Sequence, residues 1–232
     1  MYVYYEWIAM ADPPFREGDS MARKTKEESL ETRSLILDTA ERVFAEQGVS
    51  RTSLADIATA AGLTRGAIYW HFKNKADVFT AMTDRVNLPI ENLFSDVVDN
   101  PQHSDPLGEL RAACLSILQS LVHNEQRRRV FDVLYHKCEL TEEMGPVMQR
   151  QKQCIKDCTE RIQRILLRAI ELGQLPAGLN IERADIMLHA LVSGLMGNWL
   201  FDPESFDLER DAGNMLDGYL EMLQRCPAML RP

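Results

Sequence analysis

Apolar residues recur at intervals of three and four along most of the chain, the spacing that places side chains on one face of an α-helix. In residues 26–47, for example, Ile36, Ala40 and Phe44 follow this spacing, and Gly48 can end the helix. No stretch alternates in the way that a half-buried strand does. Similar helical patterns lie at about residues 53–61, 64–72, 75–88, 107–123, 125–139, 144–172, 181–200 and 208–226. The chain is therefore predicted to be all-α, with about nine helices.

Residues 53–75, SLADIATAAGLTRGAIYWHFKNK, contain two short helical patterns joined by a tight turn. Ser53 and Asp56 have the spacing of a capping box, in which each residue satisfies a backbone N–H of the other. Gly62 suits the left-handed backbone of the turn. Thr64 can cap the second helix, whose residues Ile68 and Phe72 are expected to point inward. Together these features predict a helix-turn-helix.

The outward face of the second helix carries a cation, a glycine and three consecutive rings. Arginine can read a guanine edge, glycine allows close approach, and the rings can donate to phosphates. This face therefore indicates an interface with double-stranded DNA. The other interpretation is a partly buried aromatic cluster that supports a helical bundle. We expect DNA contacts from Thr52, Thr64, Arg65, Gly66, Tyr69, Trp70, His71 and Lys75.

SLADIATAAG followed by TRGAIYWHFKNK resembles the DNA-binding signature of the TetR family of one-component repressors. MARKTKEES from Met21, HKCEL from His136 and GNWLFDPESFDL near the end are similar to multidrug-efflux repressors of the AcrR and TtgR kind. The resemblance runs from Met21 to about Pro227. It implies a DNA-binding domain at residues 21–78 and a ligand-binding and dimerisation domain at 79–232.

Residues 1–20 are expected to form a flexible extension. They result from an upstream start codon or act as an arm that packs on the body or the DNA.

The resemblance also implies a ligand cavity enclosed by four helices of the second domain. Within each helix the candidate residues recur at three- or four-residue spacing and so share one face. A filled core has the same periodicity and stays the alternative. The candidates are Met82, Val86, Ile90, Phe131, Asp132, Tyr135, Ile155, Cys158, Ile162, His189, Val192, Ser193 and Met196. The few polar groups among them would orient a mainly apolar ligand.

A capping residue and a proline bear on the fourth helix, and small residues bear on how the last two helices assemble. Asn74 can cap the fourth helix, and Pro89 lies inside it, so the helix is expected to kink or stop near residues 85–88. The last two helices, at about 181–200 and 208–226, are expected to pair with their symmetry mates in a homodimer. Family resemblance favours that assembly, and so do the small residues Ser193, Gly194 and Gly197, which permit close helix approach.

The net charge of −9 argues against non-specific coating of nucleic acid. Specific binding stays possible because residues 21–78 carry 9 basic and 8 acidic side chains, a local charge of +1. Arg23, Lys24 and Lys26 form a basic arm that could follow phosphates or be merely solvated.

The five cysteines are odd in number and lie in apolar helical stretches, which fits reduced thiols in a cytoplasm. Cys154 and Cys158 share a helix face and could form a redox or metal pair. Core or pocket lining is the favoured interpretation, because helical geometry suits a disulfide poorly and no zinc-ligand spacing is present. We expect no metal and no cofactor.

Catalytic motifs are absent from the sequence, so an enzyme is not expected. The features favour a homodimeric repressor that binds a palindromic operator and is released by hydrophobic drug-like compounds. By resemblance, that operator belongs to a multidrug efflux operon. The alternatives are a regulator of the same fold for a non-efflux pathway, an architectural DNA-binding protein without inducer, and a helical interaction module.

Overall fold

The computed structural model describes residues 17–99, 104–139 and 141–231, with side chains from residue 26 onward except at 90–99 and 143. Most of the predicted extension 1–20 therefore lies outside the described residues.

Nine α-helices make up most of the described chain. No strand is present in these residues, apart from one isolated antiparallel bridge between Leu179 and Leu230. None of the described helices combines the length and the apolar character that a membrane-spanning helix needs. The prediction of an all-α chain is confirmed. The helices are α1 Glu17–Gln47, α2 Leu54–Ala60, α3 Arg65–His71, α4 Lys75–Asp99, α5 Pro106–His123, α6 Glu125–Asp132, α7 Gly145–Glu171, α8 Ile181–Phe201 and α9 Leu208–Arg225.

Residues 1–35 and 36–232 group into two units. In the first unit, the hydroxyl of Thr32 donates to the carbonyl of Glu28 at 2.9 Å, one turn earlier in α1. The second unit contains the end of α1 and all the other helices. Its buried apolar side chains form one continuous core, in which α4 packs along α7 and α5 packs along α9.

Two helices differ from the sequence prediction. Of the two outcomes predicted near residues 85–88, a kink or a stop, the stop is wrong, because α4 continues through Pro89 to Asp99. The proline removes one backbone hydrogen bond, whereas the buried residues Phe79, Met82 and Val86 anchor the preceding turns in the core. α6 is α-helical only to Asp132, and residues Val133–Lys137 continue it as a π-helix. Such stretches depend on tertiary packing, so helical periodicity does not reveal them.

A buried carboxylate joins three of the helices. Glu41 of α1 accepts hydrogen bonds from Gln126 of α6 at 2.9 Å and from Arg85 of α4 at 3.3 Å. Arg85 also pairs with the more exposed Asp38 at 2.6 Å. Burial raises the pKa of Glu41, while the bond from Gln126 and the charge of Arg85 oppose that rise. The buried position therefore disfavours the charged form, and the hydrogen bonds hold the side chain in place.

Glu41→Gln is expected to leave the free energy of unfolding at pH 7.5 within about 1 kcal/mol of wild type, or to raise it, because the amide removes the cost of burying a charge. The folded pKa lies above the unfolded one, so protonation favours folding. The free energy of unfolding of wild type should therefore rise relative to that of the variant as the pH falls toward about 4.5. Urea unfolding at several pH values measures both effects.

Asp38→Asn is the matched control, since Asp38 also pairs with Arg85 but is exposed. A loss of several kcal/mol in Glu41→Gln at pH 7.5 would show that its charge, rather than its hydrogen bonds, holds the three helices together.

Candidate DNA-binding face and ligand cavity

The turn between α2 and α3 is fixed by local hydrogen bonds. The hydroxyl of Ser53 accepts from the N–H of Asp56 at 3.2 Å, and the carboxylate of Asp56 accepts from the N–H of Ser53 at 2.8 Å. The side-chain hydrogen bond with Ser53 lowers the pKa of Asp56. Gly62 has φ +68°, the left-handed conformation that the turn requires. The capping box and the turn are confirmed.

α3 presents its aromatic residues to solvent. The hydroxyl of Thr64 caps the helix by accepting from the N–H of Ala67 at 3.2 Å, and Ile68 is fully buried beneath it. As a result Tyr69 is 50% exposed and Trp70 is 73% exposed. Half or more of the surface of each of these two residues is therefore accessible, which favours an interface over a partly buried aromatic cluster.

The other predicted residues of α3 also lie at or near the surface. Arg65 and Gly66 are exposed. His71 is half-buried, and its ring meets Trp70 edge-on at a centroid distance of 4.6 Å. A Cβ atom at Gly66 would come no nearer than 3.9 Å to the hydroxyl oxygen of Thr64, so the fold itself does not demand a glycine there.

A groove of about 420 Å³ lies beside α3, along the residues before α2 and the start of α4. Thr52 and Lys75, both predicted DNA contacts, line this groove but are buried. The hydroxyl of Thr52 donates to the carbonyl of Gly48 at 2.8 Å, and the ammonium of Lys75 donates to the carbonyl of Ser50 at 3.4 Å. Their bonds support the loop that leads into α2.

Two exposed cations, Arg51 and Lys73, line the same groove and were absent from the predicted set. Both belong to a group of basic residues in and beside the motif, which also includes Arg65 and Lys75. That grouping was the signal in the sequence that could have identified them.

A second cavity, of about 330 Å³, lies in the C-terminal part of the second unit. It unites nine of the thirteen predicted ligand residues. Asn87 of α4 and residues of α5, α6, the π-helix, α7 and α8 form its walls. The predicted residues that line it are Phe131, Tyr135, Ile155, Cys158, Ile162, His189, Val192, Ser193 and Met196.

Three of the predicted residues do not line this cavity. Met82 and Val86 are buried in the core, and α4 instead presents Asn87 to the cavity, because one residue along a helix turns the side chain by about 100°. Asp132 pairs with His136 at 2.9 Å and is not among the lining residues. The side chain of Ile90 lies outside the described residues. The lining residues that were missed are Asn87, Cys114, Ile117, Leu134, Gln151, Cys154 and Leu188.

Comparison with known proteins identifies the family of this chain. The profile of bacterial regulatory proteins of the tetR family matches residues 36–82, and that of the C-terminal region of MAATS-type transcriptional repressors matches residues 105–225. The HTH-type transcriptional regulator AcrR of Shigella flexneri is 45% identical over 212 residues, which are 91% of this chain and 98% of the relative. The chain belongs to the TetR family.

Further relatives agree with this assignment. The HTH-type transcriptional regulator TtgR of Pseudomonas putida is 42% identical over 90% of this chain and 99% of its own. The crystal structure of NalD, the secondary repressor of the MexAB-OprM multidrug efflux pump in Pseudomonas aeruginosa, is 40% identical and superposes with a TM-score of 0.77, covering 86% of this chain and 99% of NalD. The protein is thus a TetR-type transcriptional repressor related to regulators of multidrug efflux, a family of DNA-binding regulators rather than enzymes.

The polar groups of this TetR-family cavity are concentrated on α7 and α8. Nε2 of His189 lies 3.4 Å from the buried carboxylate of Asp185 and 3.3 Å from the hydroxyl of Thr159. Ser193 donates to the carbonyl of His189 at 2.6 Å. Burial raises the pKa of Tyr135, so its hydroxyl stays protonated and available as a donor. The lining residues include no lysine or arginine.

The π-helix Val133–Lys137 borders both this cavity and the residues that lead into α2. Tyr135 lines the cavity and also a groove of about 570 Å³ that reaches Gly48 and Ser50. The N–H of Val49 donates to the carbonyl of Lys137 at 3.0 Å. A shift of the π-helix would therefore act on the start of the helix-turn-helix directly.

Proposed function

We propose that the protein is a homodimeric repressor of a multidrug efflux operon that leaves its palindromic operator when a hydrophobic drug-like compound fills the cavity. The observation that carries the proposal is the position of Val133–Lys137, which borders the cavity on one side and the entry to the helix-turn-helix on the other. Ligand and DNA can be coupled through this segment only if the ligand binds the DNA-incompetent arrangement better, since equal affinity shifts no population.

Relatives support the chemical class of the ligand. The solved structure of SmeT, 35% identical with a TM-score of 0.77 over 86% of this chain and 95% of SmeT, is a complex with triclosan. The cavity of this protein has mainly aliphatic and aromatic walls with a few polar groups, which suits a compound of that size and polarity.

DNA recognition is assigned to the exposed face of α3. Arg65 and Gly66 begin the helix and would meet base edges in the major groove, while Tyr69, Trp70 and Lys73 would donate to phosphates. Thr52 and Lys75 support the loop from beneath, so we assign them an indirect part in DNA binding. In a two-fold dimer the two α3 helices would meet half-sites about 34–36 Å apart.

Dimerisation is assigned to α8 and α9. Both helices carry large apolar side chains at the surface: Ile186 is 66% exposed, Phe201 is 81% exposed, and Met215 is also exposed. An added Cβ atom at Gly194 would meet no other atom within 4 Å, so a partner helix could approach closely there. Apolar side chains exposed on two neighbouring helices fit a four-helix interface with a second copy of the chain.

Arg65→Ala should weaken binding to the operator by about 1–3 kcal/mol and lower the ratio of operator to random-DNA affinity, because a bidentate base contact is lost. Titration of labelled DNA from upstream of the protein's own gene, against a scrambled duplex, measures this ratio. Lys73→Ala is the control: it should weaken both duplexes alike and reduce the salt slope by about one ion. An unchanged ratio in Arg65→Ala would contradict base reading.

Ile186→Glu should convert the dimer to monomer at micromolar concentration, because it places a charge in the proposed α8–α9 interface. Sedimentation velocity distinguishes the two states. Leu167→Glu, at a similarly apolar exposed position on α7, should stay dimeric. If wild type is monomeric, or if only Leu167→Glu dissociates, the assigned interface is wrong.

Ser193→Trp should reduce the affinity for triclosan by at least tenfold while operator binding persists, because the indole fills part of a 330 Å³ cavity. Calorimetry with triclosan and an operator titration give the two readouts. Glu160→Trp, on the exposed side of α7, controls for the added ring. Unchanged affinity for triclosan in Ser193→Trp would place the ligand site elsewhere.

A further inference from the structure

Three of the five cysteines of the chain line the cavity. Cys114 comes from α5, and Cys154 and Cys158 come from α7. None of the three takes part in a disulfide bond. One such cysteine would be an ordinary small apolar residue. Three of them concentrate the strongest nucleophiles of the chain at the place where a ligand is proposed to bind.

The three thiols differ in accessibility. Cys114 is buried, and burial together with the neighbouring Cys158 raises its pKa to about 12, so its reactive thiolate is scarce at neutral pH. Cys154 and Cys158 are half-buried and lie one turn apart, so they share the cavity face of α7. A reaction with a bound ligand therefore falls to the α7 pair.

Gln151 lies one turn before Cys154 on the same face and also lines the cavity. Its amide nitrogen Nε2 is buried and has no hydrogen-bond partner among the described residues. A buried N–H donor without an acceptor costs free energy, so this amide favours a ligand that brings an oxygen acceptor. Gln151 and Cys154 are separated by about 4.5 Å along the helix axis. Both side chains therefore reach the cavity from adjacent turns of one helix face.

We propose that Cys154 captures α,β-unsaturated carbonyl compounds and quinones covalently, with Gln151 as the donor to their carbonyl oxygen. The inference rests on the proposed function, in which this cavity takes the inducer. The sulfur of Cys154 bonds to the β carbon, the π pair of the C=C bond shifts toward the oxygen, and Gln151 stabilises the charge that develops there. The S–H bond breaks, and its proton ends on the α carbon. No group leaves and no external oxidant or reductant is needed.

The test treats the full chain with 4-phenylbut-3-en-2-one and, as the non-reactive match, with saturated 4-phenylbutan-2-one. Intact-mass spectrometry should show one adduct per chain with the first compound and none with the second. Trypsin cuts after Lys152 and Lys156 and so places the two α7 thiols in separate peptides, residues 153–156 and 157–161. The adduct is expected on 153–156. It should be lost in Cys154→Ser and kept in Cys226→Ser, which changes a thiol outside the cavity lining.

Gln151→Leu separates a role in the reaction from a merely structural one. It should slow adduct formation about tenfold, the effect of one lost hydrogen bond in the transition state. The rate at which Cys154 reacts with 4,4′-dithiodipyridine, which has no carbonyl group, should change little. Equal slowing with both reagents, or an adduct that survives Cys154→Ser, would overturn the proposal.

Operator binding, followed in the same samples, distinguishes failure of the inference from failure of the proposed function. If the saturated ketone releases the operator while the enone leaves Cys154 unmodified, the thiol proposal is wrong and the inducer cavity stands. If the adduct forms at Cys154 and the operator stays bound, the thiol site stands and the cavity does not control DNA binding.

Discussion

The hydrogen bond from the N–H of Val49 to the carbonyl of Lys137 joins the two functional regions of this repressor. A second contact reinforces it, from the hydroxyl of Ser50 to the carboxylate of Glu139 at 3.1 Å. Val49 and Ser50 lie in the short loop between α1 and α2, whereas Lys137 ends the π-helix that carries Tyr135 into the cavity wall. Because the loop is short, displacement of the π-helix changes the position from which α2 begins.

The surroundings of this contact restrict how the π-helix can move. The ring of Tyr135 lies against Gly197 of α8, where an added Cβ atom would come within 3.2 Å of the ring. On the other side, Glu41 ties α6 to α1 and α4 through Gln126 and Arg85. A displacement of Tyr135 away from α8 would therefore act on an element that is already bonded to α1 and to the loop that leads into α2. Packed elements of this kind shift between discrete arrangements rather than deform continuously.

The sequence predicted best what local interactions determine. The caps at Ser53 and Thr64 depend on residues three positions apart, and both were found. Asn74 likewise caps α4 through the N–H of Asp77 at 2.8 Å. The passage of α4 through Pro89 depends on packing against distant helices, which periodicity does not contain.

The same limit applies to the two functional surfaces. Family resemblance and periodicity together indicated cavity residues on α7 and α8, but they left the rotation of α4 and the contribution of α5 undetermined. Among the predicted DNA contacts, the sequence placed Lys75 at the start of a helix but gave no sign that its ammonium would turn inward toward the carbonyl of Ser50.

Charge selects among the compounds that could enter the cavity. A carboxylate or phosphate taken from water would find no lysine or arginine among the lining residues, and burying such an ion unpaired costs several kcal/mol or more. The buried carboxylate of Asp185, behind His189, adds further repulsion for an anion. A neutral compound with an oxygen acceptor meets the amide of Gln151 instead and satisfies a donor that the fold leaves without a partner. Under the proposed function, the lack of a counter-charge among the lining residues would disfavour anions, while the amide of Gln151 would favour neutral acceptors. A cavity of this kind would discriminate by charge and still accept varied apolar shapes.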